Sequence, residues 1–370
     1  MGVVKLGDVA RESRLKWTKS KQDVPIVGLE HLIPDEICFD AYDINTDNTF
    51  SKRFVKGQVL FGRRRAYQRK AAIAEFDGIC SGDITVIEAI EGKMVPELLP
   101  FIIQTPVFFD YANRGSAGSL SPRVKWEHLA DYEFELPPLE EQKVLADKLW
   151  AAYRLKEAYK KLLVATDEMV KSQFIEMFGN CKSQGTLSSL CATFIDGDWI
   201  ESKDQSDSGI RLIQTGNVGF GFFKGREDKC RYITEETFKK LNCTEVVPGD
   251  ILISRLPDPI GRACIVPEGI GKAITAVDCT IVRLNATLLP EFLISFSKTA
   301  LYASQINKIK TGTTRLRVSR GNLGNVIIPI PPIESQHHFA AIAQQADKSK
   351  FELKQCIEHI DKVIKSLING

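Results

Sequence analysis

The sequence predicts an α+β fold built twice: an α/β module, a long helix, a second module of the same kind and a second long helix. Two observations carry that expectation. The stretch Leu136-Pro137-Pro138-Leu139-Glu140-Glu141-Gln142 recurs as Ile330-Pro331-Pro332-Ile333-Glu334-Ser335-Gln336, and each copy opens a long helical pattern. Ahead of the two copies, short β-type stretches, turns and one helical stretch follow in the same order, with a period of about 194 residues. Solenoid units run from about 20 to 50 residues, so this period marks duplicated domains. The expected boundaries are 1–136 for the first module, 137–180 for the first helix, 181–330 for the second module and 331–370 for the second helix.

The helices follow from their openers and their seams. Proline suits the first turn of a helix, where its missing N–H has no partner to lose, and acidic residues there favour the positive end of the dipole. Pro138 with Glu140 and Glu141, and Pro332 with Glu334, meet both conditions. Behind the second opener Phe339, Ile342, Ala346, Ser349, Leu353, Cys356, Ile360, Val363 and Leu367 alternate steps of three and four, the spacing of a coiled-coil seam. Behind the first, Leu145, Leu149, Ala152, Lys156, Tyr159, Leu163, Thr166 and Val170 keep that rhythm, with Lys156 and Thr166 as polar interruptions. At ~1.5 Å per residue each helix spans roughly 55 to 60 Å, well beyond the usual length, and a helix so long needs a partner. Matching openers, lengths and seams predict that the two pair with each other.

The modules are read side by side. Val4 to Ala10 matches Gly185 to Cys191, and a strand from Val24 to Leu32 matches one from Ile210 to Val218. A Gly turn and an alternating strand, Phe54 to Phe61, match Val246 to Ile253. Next come strands from Ala71 to Glu75 or Ala263 to Val266, then from Ile84 to Ala89 or Cys279 to Leu284. One helical segment is predicted from about Pro96 to Asn113, its twin from about Pro290 to Lys308, and a last strand, Tyr132 to Leu136 or Val326 to Ile330, enters each long helix.

Bulk properties exclude several classes. The 370 residues are 44% hydrophobic and 26% charged, enough for two or more cores. No apolar run reaches the ~20 residues that span a bilayer and no secretory h-region opens the chain, so no membrane association is expected and the cytoplasm is the expected compartment. Nine cysteines without a C-x-x-C pair fit reduced thiols rather than a disulfide framework or zinc site. Catalytic signatures are absent from the pattern. Gly219-Phe220-Gly221 reads as a hairpin turn, and Gly269 to Lys272 lacks the context of a phosphate loop. Neither proline pair has the Asn or Asp ahead and aromatic behind that methyl transfer to a base amine requires. Asp83 with Glu91 and Lys93 only loosely approaches a metal-dependent nuclease, and the five histidines lack ligand spacing. No catalytic residue and no metal are therefore expected.

Four loops carry the chemistry that remains. Gly62 to Lys70 holds Arg63, Arg64, Arg65, Arg69 and Lys70, interleaved with Tyr67 and Gln68 and free of acids. Its equivalent holds Arg255 and Arg262. A small, hydroxyl-rich loop ends each module: Arg114, Ser116, Ser119 and Arg123 in one, Lys310, Thr311, Thr313, Thr314, Arg315 and Arg317 in the other. Arginine forks grip phosphates or read guanine, glutamine pairs with adenine edges, and small hydroxyl-bearing residues let the backbone approach phosphate oxygens. These residues are the expected contacts to double-stranded DNA.

The duplicated proline-proline-apolar-glutamate-x-glutamine opener, the Gly249-Asp250-Ile251-Leu252 strand with its arginine loop and the hydroxyl-rich arginine loop before each helix together resemble the specificity subunits of type I restriction-modification enzymes, over essentially the whole chain. The resemblance implies two target recognition domains, each reading one half of a bipartite, asymmetric DNA site, separated by two long helices that form an antiparallel coiled coil and set the gap. It also implies two modification subunits as partners, carrying S-adenosylmethionine, and restriction subunits that use ATP and magnesium, with no cofactor on this chain. Two other readings stay open: a non-catalytic adaptor whose basic loops bind acidic proteins, and a self-contained restriction-methylation enzyme.

Overall fold

The computed structural model describes residues 2–118 and 121–369. The chain divides into two compact units, residues 1–160 with 355–370 and residues 161–354.

The first unit contains strands β1 (Gly2–Lys5), β2 (Ala10–Glu12), β3 (Ile26–Val27), β4 (Lys52–Phe54), β5 (Val59–Gly62), β6 (Ala71–Ile73), β7 (Gly78–Cys80), β8 (Ile84–Ala89) and β9 (Glu133–Leu136). Its helices are α1 (Leu6–Val9), α2 (Leu99–Ile103), α3 (Pro106–Arg114), α4 (Trp126–Ala130) and the first part of α5 (Leu139–Phe178). An antiparallel sheet in the order β2-β8-β5-β6 lies between two layers. Val59, Phe61 and Ile87 share a core with Phe101, Phe108 and Phe109 of the helices. Leu60 and Val86 point the other way, into the sheet β3-β7-β4 through Val27, Phe54 and Cys80. Strand β5, expected to alternate between apolar and polar faces, is therefore buried throughout because both of its faces are covered.

The second unit repeats this plan. Its strands are β10 (Gln184–Thr186), β11 (Cys191–Asp196), β12 (Ile210–Ile213), β13 (Tyr232–Ile233), β14 (Ile251–Ser254), β15 (Ala263–Ile265), β16 (Ala273–Thr275), β17 (Cys279–Leu284) and β18 (Ile327–Pro329). Its helices are α6 (Glu235–Lys240), α7 (Pro290–Ser297), α8 (Ala300–Ile309), α9 (Arg320–Gly324) and most of α10 (Ile333–Asn369). The sheet β11-β17-β14-β15 matches β2-β8-β5-β6 strand for strand, and β12 runs parallel to β16 as β3 does to β7. Gly57 and Gly249 both take φ +89°, a left-handed turn that favours glycine, just ahead of the central strand.

The two long helices pair in opposite senses within each unit. In the first, Lys156 Nζ meets Asp361 Oδ1 at 2.7 Å, while Leu149 and Tyr153 share a core with Ile364 and Ile368. In the second, Lys350 Nζ meets Asp167 Oδ1 at 2.7 Å and Phe174 packs on Phe339 with ring centroids 5.2 Å apart. Lys156 and Lys350 are equivalent residues of the duplication, as are Asp167 and Asp361. The polar interruption of the first seam is thus half of an ion pair that occurs twice.

The opener's glutamine does more than start a helix. Gln142 is buried, accepts from Val95 N at 2.9 Å and donates to Pro137 O at 2.9 Å. Gln336, fully buried, accepts from Leu289 N at 2.8 Å and donates to Thr287 O and Pro331 O at 2.9 Å. Each glutamine ties the start of a long helix to the segment that leads into the shorter helices.

Five expectations need correction. The single helix from Pro96 to Asn113 is two, because Thr105 accepts from Phe108 N and Pro106 restarts the chain as α3. Thr299, accepting from Tyr302 N, divides the segment from Pro290 to Lys308 in the same way. The strand expected from Val24 to Leu32 is reduced to Ile26–Val27, and that from Ile210 to Val218 ends at Ile213. Along α10, Cys356 and Val363 are exposed while Ile357 and Ile364 turn inward. A straight α-helix drifts by about 20° per heptad against a strict 3.5-residue repeat, so the buried line advances by one residue.

Candidate nucleic-acid interface

In each module the end of the central strand, the start of its neighbour and the last loop meet in one backbone frame. Arg63 N donates to Asp83 O at 2.9 Å and Val124 N to Arg63 O at 3.0 Å. In the second module Arg255 N donates to Asp278 O at 2.9 Å and Val318 N to Arg255 O at 3.2 Å. From this frame hang two equivalent backbone bridges. Ala117 and Arg123 exchange N–H to O bonds of 3.1 and 2.9 Å, and Thr311 and Arg317 exchange two of 2.9 Å. Gly118 and Gly312, with φ of +116° and +106°, supply backbone that other residues rarely adopt.

The side chains on the two frames differ. In the first, Arg64 Nη1 lies 3.3 Å and Arg123 Nε 2.7 Å from the two oxygens of Asp83, and Arg64 Nε also donates to Ser121 Oγ. Burial alone would raise the Asp83 pKa, but hydrogen bonds and charge from Arg123 and then Arg64 outweigh it and hold the carboxyl below the usual range. The carboxylate thereby fixes two half-exposed guanidiniums side by side with a net positive charge. The backbone N–H of Arg65 donates to Pro122 O at 2.8 Å. Tyr67 stands 58% exposed on a single 3-10 turn, Ala66–Gln68, flanked by Arg65 and Arg69 in left-handed conformation. Arg114 is exposed over the Tyr111 ring and Ser116 Oγ donates to Ala112 O at 3.2 Å. Ser119 lies outside the described residues.

Not every expected contact faces outward. Arg69 Nε donates to Asp35 at 2.5 Å with its guanidinium over Phe109, and Lys70 Nζ donates to Leu29 O at 2.7 Å. Arg255 has a side chain only 12% exposed, which reaches Val318 O, Val277 O and Asp196. Arg262 is 8% exposed and donates to the carbonyls of Val218, Pro257, Pro259 and Thr215 and to Ser254 Oγ. Its guanidinium braces the loop from inside, so the reading of Arg262 as a DNA contact is withdrawn, and Arg255 likewise braces the frame. Lys310 pairs with Asp258 at 2.5 Å. Thr311, Thr313, Thr314, Arg315 and Arg317 are exposed, and neither arginine side chain has an ion pair among the described residues.

Two features escaped the sequence reading. Arg226, Lys229 and Arg231 line a cavity of about 370 Å³ with Gln214 and Asn217, a basic patch masked in the sequence by the adjacent Glu227 and Asp228. Trp199 is 71% exposed, a large aromatic with no seam or strand pattern to announce it. Glu30, His31 and Asp43 bring potential metal ligands within 4.8 Å of one another. His31 Nδ1, however, accepts from Gly28 N at 2.9 Å. The neutral ring then carries its proton on Nε2, which faces Asp43 Oδ1 at 3.6 Å and offers no lone pair.

Residues 1–163 and 186–362 match the family described as the type I restriction modification DNA specificity domain. The chain is 32% identical over 89 residues to the specificity subunit of the EcoDI type I restriction enzyme of Escherichia coli, covering 24% of this chain and 19% of that one. It is 21% identical over 299 residues to the EcoBI specificity subunit of Escherichia coli, covering 71% and 62%. These alignments span less than two thirds of either relative. A putative MjaX specificity subunit of Methanocaldococcus jannaschii is 20% identical over 381 residues, covering 96% and 87%. Two solved structures share the fold. One comes from work on complex assembly and conformational transition of the type I R-M system, with TM-score 0.61, 18% identity and coverage of 100% and 96%. The other is the type I restriction-modification S subunit from M. genitalium, with TM-score 0.60, 10% identity and coverage of 99% and 94%.

Proposed function

Because this chain belongs to the family of type I restriction modification DNA specificity domains, we propose that it is the sequence-reading, non-catalytic subunit of a cytoplasmic restriction-modification complex. Each module reads one half of a bipartite, asymmetric site in double-stranded DNA, and the paired helices set the unread spacer. The observation that carries this reading is the pair of equivalent backbone bridges, Ala117 with Arg123 and Thr311 with Arg317, held on the same backbone frame but bearing different side chains. Equal scaffolds with unequal faces suit a target whose halves differ. Arg63, Arg64, Arg65, Tyr67, Gln68, Arg114 and Arg123 serve one half-site, and Thr311, Thr313, Thr314, Arg315 and Arg317 the other. Single-molecule mapping of methylated positions in host DNA tests it: a split motif is expected, and an unsplit one refutes two reading heads.

In the same reading two modification subunits dock on the helices. Ala151, Leu155, Ala158, Leu162, Ala165 and Met169 are exposed on α5 at steps of four and three, a second apolar line distinct from the seam that meets α10. S-adenosylmethionine, ATP and magnesium then belong to the modification and restriction subunits. If the helices are the ruler, one heptad inserted after Val164 and one after Leu353 lengthen each by about 10 Å and widen the spacer while both half-sites stay the same. An unchanged spacer removes the helices from that role.

A further inference from the structure

The two units differ where an edge strand faces the long helices. In the first unit β6 is an edge strand, and the chain's own segment from Glu36 to Cys38 runs along it. Ile73 N donates to Ile37 O at 2.7 Å, Cys38 N to the Tyr153 hydroxyl at 3.3 Å, and Glu36 pairs with Lys160 at 2.6 Å. Gln104, which caps the end of α2, donates to Glu36 O at 2.7 Å. Ile37 is buried there together with Leu149 and Tyr153.

In the second unit the equivalent edge, β15, has no such segment among the described residues. Gly221 N reaches only its near end, at Ala263 O, 2.8 Å away. Val266 N donates to Asp250 O on the β14 side, so the N–H of Ile265, one residue earlier, points away from β14. Among the described residues that N–H has no acceptor. The residues equivalent to Leu149 and Tyr153 are Ala343 and Asp347, and the cap equivalent to Gln104 is Lys298. Smaller side chains and a missing strand leave an open groove of about 710 Å³, lined by Ile265, Ile294, Lys298, Phe339, Ala343 and Asp347. Lys298 lies against Gly221 and forms no ion pair among the described residues. Burial lowers its pKa while Asp347 opposes that shift.

The geometry points to a peptide-docking slot: the β15 edge takes up an extended segment of a partner polypeptide, with an acidic residue followed by an apolar one, in the way the first unit seats its own Glu36 and Ile37. The segment's carbonyl accepts from Ile265 N–H, the apolar side chain enters the space that Leu149 and Tyr153 fill in the first unit, and the carboxylate, which Lys160 meets in the first unit, turns instead to Lys298, which stands in the place of Gln104. Main-chain bonds to a sheet edge supply affinity in such additions and side-chain pockets supply specificity. This inference is independent of DNA reading.

The test uses the full chain and a fluorescein-labelled octapeptide with the sequence of residues 33–40, Cys38→Ser, followed by anisotropy. Saturable binding is expected, weakened by about tenfold in Lys298→Glu, the scale of a lost charge-assisted hydrogen bond, and recovered when the peptide carries Glu36→Lys. Lys298→Gln keeps the cap of the first unit and is expected to bind with intermediate affinity. The double change Ala343→Leu with Asp347→Tyr restores the first unit's filling and is expected to abolish binding. Bound peptide is expected to slow hydrogen exchange at the Ile265 amide. The proposal is overturned by a curve that never saturates, by affinity indifferent to Lys298→Glu, by unchanged exchange at Ile265, or by equal competition from acetate, which makes the groove a small-anion site.

Discussion

Replacing Gln336 by leucine keeps the side chain's bulk but removes its donor and acceptor. The structure gives the size of the effect. Three hydrogen bonds of 2.8, 2.9 and 2.9 Å, to Leu289 N, Thr287 O and Pro331 O, disappear at a side chain with no exposure. Each is worth about 1 kcal/mol net, and a buried donor left without a partner costs more, so a loss of about 3 kcal/mol is expected from the second unit's stability. At a urea dependence of about 2 kcal/mol/M, the midpoint falls by about 1.5 M. Two units need not unfold together, so the assay is hydrogen exchange of α7 and α8 peptides across a urea series. Gln344→Leu, at an exposed position of the same helix, is the control. The account of the opener fails if Gln336→Leu moves the midpoint no further than the control does, or if the first unit's peptides lose protection instead.

Three further outcomes are expected. Asp83→Asn lowers the first unit's stability at neutral pH: the folded carboxyl is held below its usual pKa, so its contribution is present above about pH 4 and disappears as pH falls through the folded value. A stability difference that persists in strong acid contradicts this. Arg315→Ala and Arg317→Ala weaken DNA binding by the assembled complex and reduce the slope of log K against log salt by about 0.9 for each phosphate no longer neutralised, whereas Arg262→Ala destabilises the second module; binding isotherms at several salt concentrations separate the two. Lys156→Ala costs roughly 1 kcal/mol or less, as expected of a partly exposed pair, and exchanging the charges with Lys156→Asp and Asp361→Lys restores it, as a double-mutant cycle by denaturation will measure.

Long elements were legible in the sequence and side-chain duties were not. The openers and three-four spacings place α5 and α10 within a few residues of where they stand, because a seam of eight or nine positions averages out local noise. The breaks at Thr105 and Thr299 were also written in the chain, as capping residues, but the apolar run across each hid them. Burial of Arg262 was illegible: an arginine in a basic loop has the same local pattern whether its donors face water or oxygens from two separate stretches of chain, around Thr215 to Val218 and around Ser254 to Pro259. Asp83 and Arg123 are 40 positions apart, so a loop counted as free of acids proved to be held by one.

The two copies sort their own residues by role. Positions that make the same contact in both modules belong to the frame: Gly57 and Gly249 in the turn, Gln142 and Gln336 at the helix start, the strand-end arginines bonded to Val124 and Val318, and the Lys–Asp pairs between helices. Beyond the β6 and β15 edges, positions whose contacts differ include those on the projecting loops. Arg64 shares a carboxylate with Arg123, whereas in the other module the equivalent loop carries Arg315 and Arg317 with no such carboxylate among the described residues. A partly exposed ion pair between helices contributes about 1 kcal/mol or less, so its occurrence at both equivalent places is better explained by register. A one-residue slip sets each lysine beside the wrong face, and a parallel alignment removes both pairs.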